Sequence, residues 1–212
     1  VASPNTSQLS QYQYDPSSRR YRNRSNGQYL SAKEVRSAVD TIIDIETLKM
    51  RDLAQSLVDG KIALSDWQVQ SASLIKSLHV AMGLAANGGL ENTSNSALGF
   101  LGSLVKKQYA FLKQFALQIR NGTQALDGTL VSRSALYTQA SRGTYEAVVT
   151  QSAVDGGMTE ARSVLGLADH CGDCVEQASL GWQDINDVVP IGDRKCGANC
   201  HCGLEFRGST QE

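Results

Sequence analysis

Residues 31–60, SAKEVRSAVDTIIDIETLKMRDLAQSLVDG, carry the pattern of one long amphipathic helix. Ser31-Ala-Lys-Glu34 is a capping box, in which the Ser31 hydroxyl accepts from the Glu34 amide while the Glu34 side chain reaches back. Behind it Val35, Val39, Ile42, Ile43, Leu53 and Leu57 form one buried stripe. Asp59-Gly60 is the stop signal. A helix with a single apolar stripe needs other helices to cover it.

The following residues supply them. A second box, Ser65-Asp-Trp-Gln68, predicts a helix that buries Val69, Leu74, Ile75, Leu78 and Met82 and stops at Asn87-Gly88-Gly89. A third helix is expected from Asn95 to Arg120, with Leu101, Leu104, Val105, Leu112, Phe115 and Ile119 at helical spacing and Asn121-Gly122 beyond its end. A fourth, shorter one spans Ser132 to Ser152 and buries Leu136, Tyr137, Val148 and Val149 before Gly156-Gly157. Residues 31–155 therefore read as an antiparallel helical bundle. Trp67, Tyr109, Phe111 and Phe115 read as packing residues, and His79 as a core-edge or surface histidine.

Residues 1–30 differ in composition. They are rich in Ser, Gln, Asn, Tyr and Arg and nearly free of aliphatics, which predicts a flexible or extended arm. Arg19, Arg20, Arg22 and Arg24 fall within six residues, with Tyr21 among them. These five are the candidate partner-binding residues, for a neighbouring subunit or for phosphates.

All five cysteines lie near the other end, in residues 156–212, which are expected to fold as a small α+β lobe. Cys171-x2-Cys174 faces Cys196-x3-Cys200-x-Cys202, with His170 and His201 beside them. Two such knuckles can turn two thiolates each toward one tetrahedral ion. Cys171, Cys174, Cys196 and Cys200 are the expected ligands, and Cys202 competes for the fourth place because Cys200 and Cys202 point to one side of an extended chain. Zinc is the default ion for such a set, with iron–sulfur ligation as the other possibility. The two histidines, each adjacent to a cysteine, are expected to support the site or to be exposed. Strands are expected over Ala161–Leu167 and Gly203–Arg207, with Trp182 covering the lobe. A lobe of this size gains from a metal staple.

Composition narrows the function. A net charge of −1 gives no general reason to expect a nucleic-acid or membrane binder. No run approaches 18 apolar residues, and Val1-Ala2-Ser3-Pro4 does not begin a secretory signal pattern, so synthesis in the cytosol is expected. There a thiol or thiolate–metal state is favoured over disulfides, and the odd cysteine count agrees. The sequence holds no H-E-x-x-H, phosphate-binding glycine loop or G-x-S-x-G, and an all-sulfur site is closed to substrate. A non-enzymatic protein is expected.

The segment from Asp169-His-Cys171-Gly-Asp-Cys174 through Gly181-Trp182 and Pro190-Ile-Gly192 to Lys195-Cys196-Gly-Ala-Asn-Cys200-His-Cys202-Gly-Leu-Glu-Phe-Arg207 resembles the end of minor head proteins of tailed bacteriophages, the Mu-type head-morphogenesis group. Further similar pieces are Tyr21-Arg-Asn23, Asn26-Gly27, Gly60-Lys-Ile62, Asp66-Trp67, Gly88-Gly89, Gln108-Tyr109, Phe111-Leu112 and Phe115-Ala116. Where many relatives have His-Pro before the last cysteine pair, this chain has Cys196-Gly-Ala-Asn, with sulfur in place of nitrogen. The resemblance implies a virion structural protein, made in the host cytoplasm. It implies docking at the portal or the inner capsid and a part in head assembly, DNA retention or ejection. The arm would contact portal protein, capsid protein or packaged DNA. The competing reading is a zinc-ribbon nucleic-acid-binding module. Around the cysteines, however, Arg194 and Lys195 are outnumbered by Asp169, Asp173, Glu176, Asp184, Asp187 and Asp193.

Overall fold

A computed structural model describes residues 11–166 and 169–208. The chain begins with a hairpin of β1 (Tyr12–Asp15) and β2 (Arg20–Asn23). Three long helices follow, α1 (Ala32–Val58), α2 (Leu64–Ala86) and α3 (Asn95–Arg120). Two shorter helices, α4 (Gly128–Gln139) and α5 (Ser141–Asp155), complete the bundle. The C-terminal lobe holds β3 (Glu160–Val164), α6 (Gly172–Ser179), β4 (Gln183–Asp184) and β5 (Gly203–Arg207). The architecture is mainly α, a helical bundle with a small cysteine-bearing lobe.

The first helix forms as its sequence dictates. Ser31 Oγ accepts from the Glu34 amide at 3.2 Å, and Glu34 Oε2 accepts from the Ser31 amide at 2.7 Å. Val39, Ile42, Ile43, Met50, Ala54 and Leu57 are buried along one face.

The second capping box does not form. α2 starts at Leu64, two residues before the start that Ser65 as cap would give, with Ala63 in the cap position and no side-chain bond. Burying Trp67 sets this phase: its ring meets Phe115 edge-on at 5.5 Å, and Phe115 stacks on Tyr137 at 6.0 Å. Fully burying an aromatic outweighs a cap worth about 1 kcal/mol. The same phase leaves Val69, two residues on, 70% exposed. Gly83 lets α3 approach α2, since a Cβ there would lie 2.6 Å from Leu101 Cδ1.

The expected fourth helix is two helices. α4 starts at Gly128, capped by Asp127, whose side chain accepts from the Thr129 amide at 2.8 Å. The chain turns at Ala140 into α5. α4 then faces α1 through Leu130, Ser134, Ala135, Tyr137 and Thr138, and Leu136 stays 40% exposed. Small side chains allow close approach here: Thr47 and Thr138 hydroxyls meet at 2.8 Å in the buried contact between the two helices.

His79 is fully buried, not at the core edge. Its Nε2 donates to the Tyr137 carbonyl at 3.0 Å, so its Nδ1 accepts from the Thr144 hydroxyl at 2.7 Å. Burial lowers its pKa from 6.5 to about 4. A folded pKa below the unfolded one stabilises the fold above pH 6.5, and that stability is lost as pH falls toward 4. The span corresponds to about 3 kcal/mol. In acid titrations followed by circular dichroism, His79→Gln should flatten stability between pH 6.5 and 4 relative to the wild type. An unchanged slope would show that His79 is not the group being charged.

Residues 12–23 depart from the expected arm. They pair antiparallel, Tyr12 opposite Asn23 and Asp15 opposite Arg20. Asp15 closes the turn by accepting from the Ser17 amide at 3.0 Å. The hairpin docks through tyrosine: the Tyr21 hydroxyl donates to the Ala85 carbonyl at 2.5 Å, and the Tyr14 ring covers Gly88, where a side chain would collide with it. Tyr14 and Tyr21 take the place of the aliphatics that a docked strand usually presents. Residues 1–10 of the expected arm lie outside the described residues.

In the lobe, β3 is the centre of an antiparallel sheet with the order β4-β3-β5. Its register runs from Glu160 opposite Arg207 to Val164 opposite Gly203. Trp182 lies against the sheet, with the Arg162 and Arg207 guanidinium groups 4.9 and 4.4 Å from its ring. Leu167, the end of the expected strand, lies outside the described residues.

Candidate metal centre

The backbone around each cysteine explains how five thiols converge. Cys171 sits in extended conformation at the N-cap of α6, and Cys174 lies three residues later in its first turn. Residues at these positions project to one side of the helix start. Cys196 and Cys200 flank a single 3-10 turn over Gly197–Asn199. Cys202 immediately precedes β5, whose pairing with β3 fixes its position. A carboxylate ties the two knuckles: Asp173 Oδ2 accepts from the Lys195 amide at 2.9 Å.

The sulfurs form two overlapping groups, Cys171–Cys174–Cys196 and Cys174–Cys200–Cys202, each with its atoms within 4.8 Å of one another. Cys174 belongs to both. Its Sγ lies 3.4 Å from Cys196 Sγ and 3.8 Å from Cys200 Sγ. Bonds of about 2.3 Å at tetrahedral angles place sulfurs about 3.8 Å apart. Donor type and spacing therefore fit a thiolate-bound ion. The cysteines are unpaired thiols, and Cys174, Cys200 and Cys202 are almost completely buried.

Burial and crowding push two of the thiols toward their protonated form. Burial, then Cys200 and Cys174, raise Cys202 from 9.0 to about 12, and burial with Cys174 and Cys200 drives Cys196 upward too. A bound cation would displace the protons of Cys196 and Cys202. The same three buried sulfurs pack with Ala153, Ala161, Ile185, Val188, Ile191 and Leu204. The lobe's core is thus built around the sulfur cluster.

Both histidines lie outside the sulfur groups but not alike. His170 Nε2 donates to the Gly166 carbonyl at 3.1 Å, leaving Nδ1 as an acceptor 3.7 Å from Cys202 Sγ. His201 turns the other way, its Nδ1 3.6 Å from Asp40 Oδ2 on α1.

Two arginines that sequence spacing could not assign fasten the lobe to the bundle. Arg142 pairs with Asp40 at 2.6 Å and reaches the Cys200 carbonyl at 3.5 Å. Arg36 pairs with Glu146 at 3.1 Å and donates to the Leu204 carbonyl at 2.7 Å. Glu146 is almost completely buried and its Oε2 has no hydrogen-bond partner among the described residues. Burial raises its pKa against the opposing pull of Arg36. The only sequence signal was one charged residue, Glu146, at a core-facing position of a helix.

The hairpin arginines are all exposed, and each also bonds its own chain. Arg19 donates to the Ser152 carbonyl, Arg20 to that of Leu30 and Arg24 to that of Tyr12, while Arg22 pairs with Asp15 at 3.1 Å. Tyr21 points inward, as an anchor to α2. On α3, Phe115 is buried, whereas Tyr109 and Phe111 are 36% and 50% exposed, contrary to their expected place in the core. No family model matches the chain, and neither a curated protein nor a solved structure does. Among the described residues no helix is long and apolar enough to cross a membrane.

Proposed function

We propose that this chain is a structural minor head protein of a tailed-phage virion, docked at the portal or the inner capsid wall and made in the host cytoplasm. The observation that carries the reading is the folded form of the segment bearing the resemblance. Its cysteines converge in one cluster, three of them buried, and the lobe around them is fastened to the helical body by Arg36 and Arg142. Zinc is the ion this set suits best, since soft thiolates in a tetrahedral array select it. Cys171, Cys174 and Cys196 would hold it, with Cys200 or Cys202 as the fourth ligand. A sulfur-filled shell leaves no open position for substrate, so the ion's part is to hold the lobe rigid. The rigid lobe and the hairpin would then be the surfaces offered to portal or capsid protein.

Quantitative mass spectrometry of purified virions tests this. The expected result is a copy number close to that of the portal subunits, or a small fraction of the major capsid protein. Absence from the particles would overturn it.

A further inference from the structure

Charge is unevenly distributed in this chain. Between Asp66 and Asp127 the only acid is Glu91, against Lys76, Lys106, Lys107, Lys113 and Arg120. This stretch, which holds α3 and all but the first turn of α2, is net +4, so the rest of the chain is net −5. Four of the five bases lie on α3, which contains no acid at all. Lys106, Lys113 and Arg120 recur every seven residues, or two helical turns, and form one stripe with steps of about 10 Å. Lys107 lies beside it. All four are exposed, and none forms an ion pair among the described residues. Tyr109, three residues on from Lys106 and four before Lys113, flanks the stripe and is 36% exposed. The buried side of α3, through Leu101, Val105, Leu112, Phe115 and Ala116, is its packing face, so the cationic stripe has no structural task in the bundle.

We propose that the outward face of α3 is a binding surface for the sugar–phosphate backbone of nucleic acid, with Lys106, Lys107, Lys113 and Arg120 as phosphate contacts. Evenly repeated cations on a rigid rod suit a linear polyanion with a repeating charge. Contacts of this kind position the strand without reading its sequence. Tyr109 adds apolar surface against sugars or unpaired bases. The obvious competitor is the acidic lobe of a second copy. Its acids are scattered over short strands, a short helix and loops, and Glu160, Glu205 and Asp173 already have partners within the lobe. This surface is separate from the cysteine cluster and does not depend on the virion reading.

The test is fluorescence anisotropy of the full chain with a labelled 20-base-pair duplex of arbitrary sequence, at salt concentrations from 50 to 200 mM. With about four phosphate contacts, the slope of log affinity against log salt should be about −3.6, a loss of about 150-fold across that range. Lys106→Gln/Lys113→Gln/Arg120→Gln should bring the slope close to −0.9. Glutamine keeps helix propensity at these exposed positions, and circular dichroism verifies the fold. A charge-matched control, Lys33→Gln/Arg51→Gln/Lys61→Gln, should retain nearly the wild-type slope. No binding at 50 mM, or an equal loss in the control, would overturn the proposal. A loss confined to Arg22→Gln/Arg24→Gln would overturn it in favour of the hairpin. Salt-sensitive oligomers without affinity for the duplex would overturn it in favour of the acidic lobe.

Discussion

Cys174→Ser is expected to abolish tight metal binding and to unfold the C-terminal lobe while the helical bundle remains. Cys174 is the only sulfur in both groups of the cluster, and it is also one of the lobe's core residues. Removing it takes a ligand from any ion held there and leaves a hydroxyl among buried apolar atoms. Structural zinc supplies on the order of 10 kcal/mol or more to small domains of this kind. Losing a direct ligand should exceed the roughly 10- to 100-fold drop in affinity that a supporting residue causes. Two measurements check it. Elemental analysis should find about one metal ion per wild-type chain and little in the variant. Trypsin should cut the variant at Arg162, Arg194, Lys195 and Arg207 while sparing α1–α5. Equal metal content together with equal protection of both regions would overturn the structural role. Cys202→Ser separates the two candidate fourth ligands: it should retain the ion if Cys200 completes the shell and lose it if Cys202 does.

Arg36→Met should destabilise the whole molecule by about 3–5 kcal/mol, the usual cost of removing one partner from a buried ion pair. Glu146 would remain in the interior without its guanidinium partner, and its Oε2 has no hydrogen-bond partner among the described residues. For a chain of this length the melting temperature should fall by about 10 °C. The pH dependence has a definite sign. Burial already raises the Glu146 pKa above 4.5, and losing Arg36 raises it further. A carboxyl that binds its proton more tightly in the folded state stabilises the fold at low pH, and this stability is lost as pH rises through the folded pKa. The gap between variant and wild type should therefore narrow as pH falls from 7 toward 5. Adding Glu146→Leu should recover most of the loss at pH 7, since an apolar pair replaces a buried charge without cost. A gap that stays constant with pH would show that packing, not charge, carries the contact.

The sequence was most legible where a local signal and the tertiary demand coincided. The Ser31–Glu34 box, the span of α3 and the convergence of the cysteines are of this kind. Where they conflicted, packing decided. Ser65 offered a cap, but Trp67 set the phase of α2. Leu136 and Val69 were apolar and in plausible positions, yet neighbouring helices covered other faces. The hairpin was obscured because its strands are four residues long and anchored by tyrosine, in a stretch whose polar composition resembles a tail. At the cluster, spacing pointed to the five cysteines. The link from Asp173 to Lys195 and the grip of Arg142 on the Cys200 carbonyl come only from the fold.

The pairing of β3 with β5 imposes an order on biosynthesis. β3 lies ahead of every cysteine in the chain and β5 follows the last of them. A growing polypeptide can assemble its helices from nearby segments early, whereas β3 must wait with an unpaired edge until all five thiols have been translated. Sheet closure and ion capture then become a single late event. The same event delivers the Leu204 carbonyl to Arg36, so a chain interrupted before β5 would expose an unfinished, charged seam on α1 and α5 to quality-control proteases.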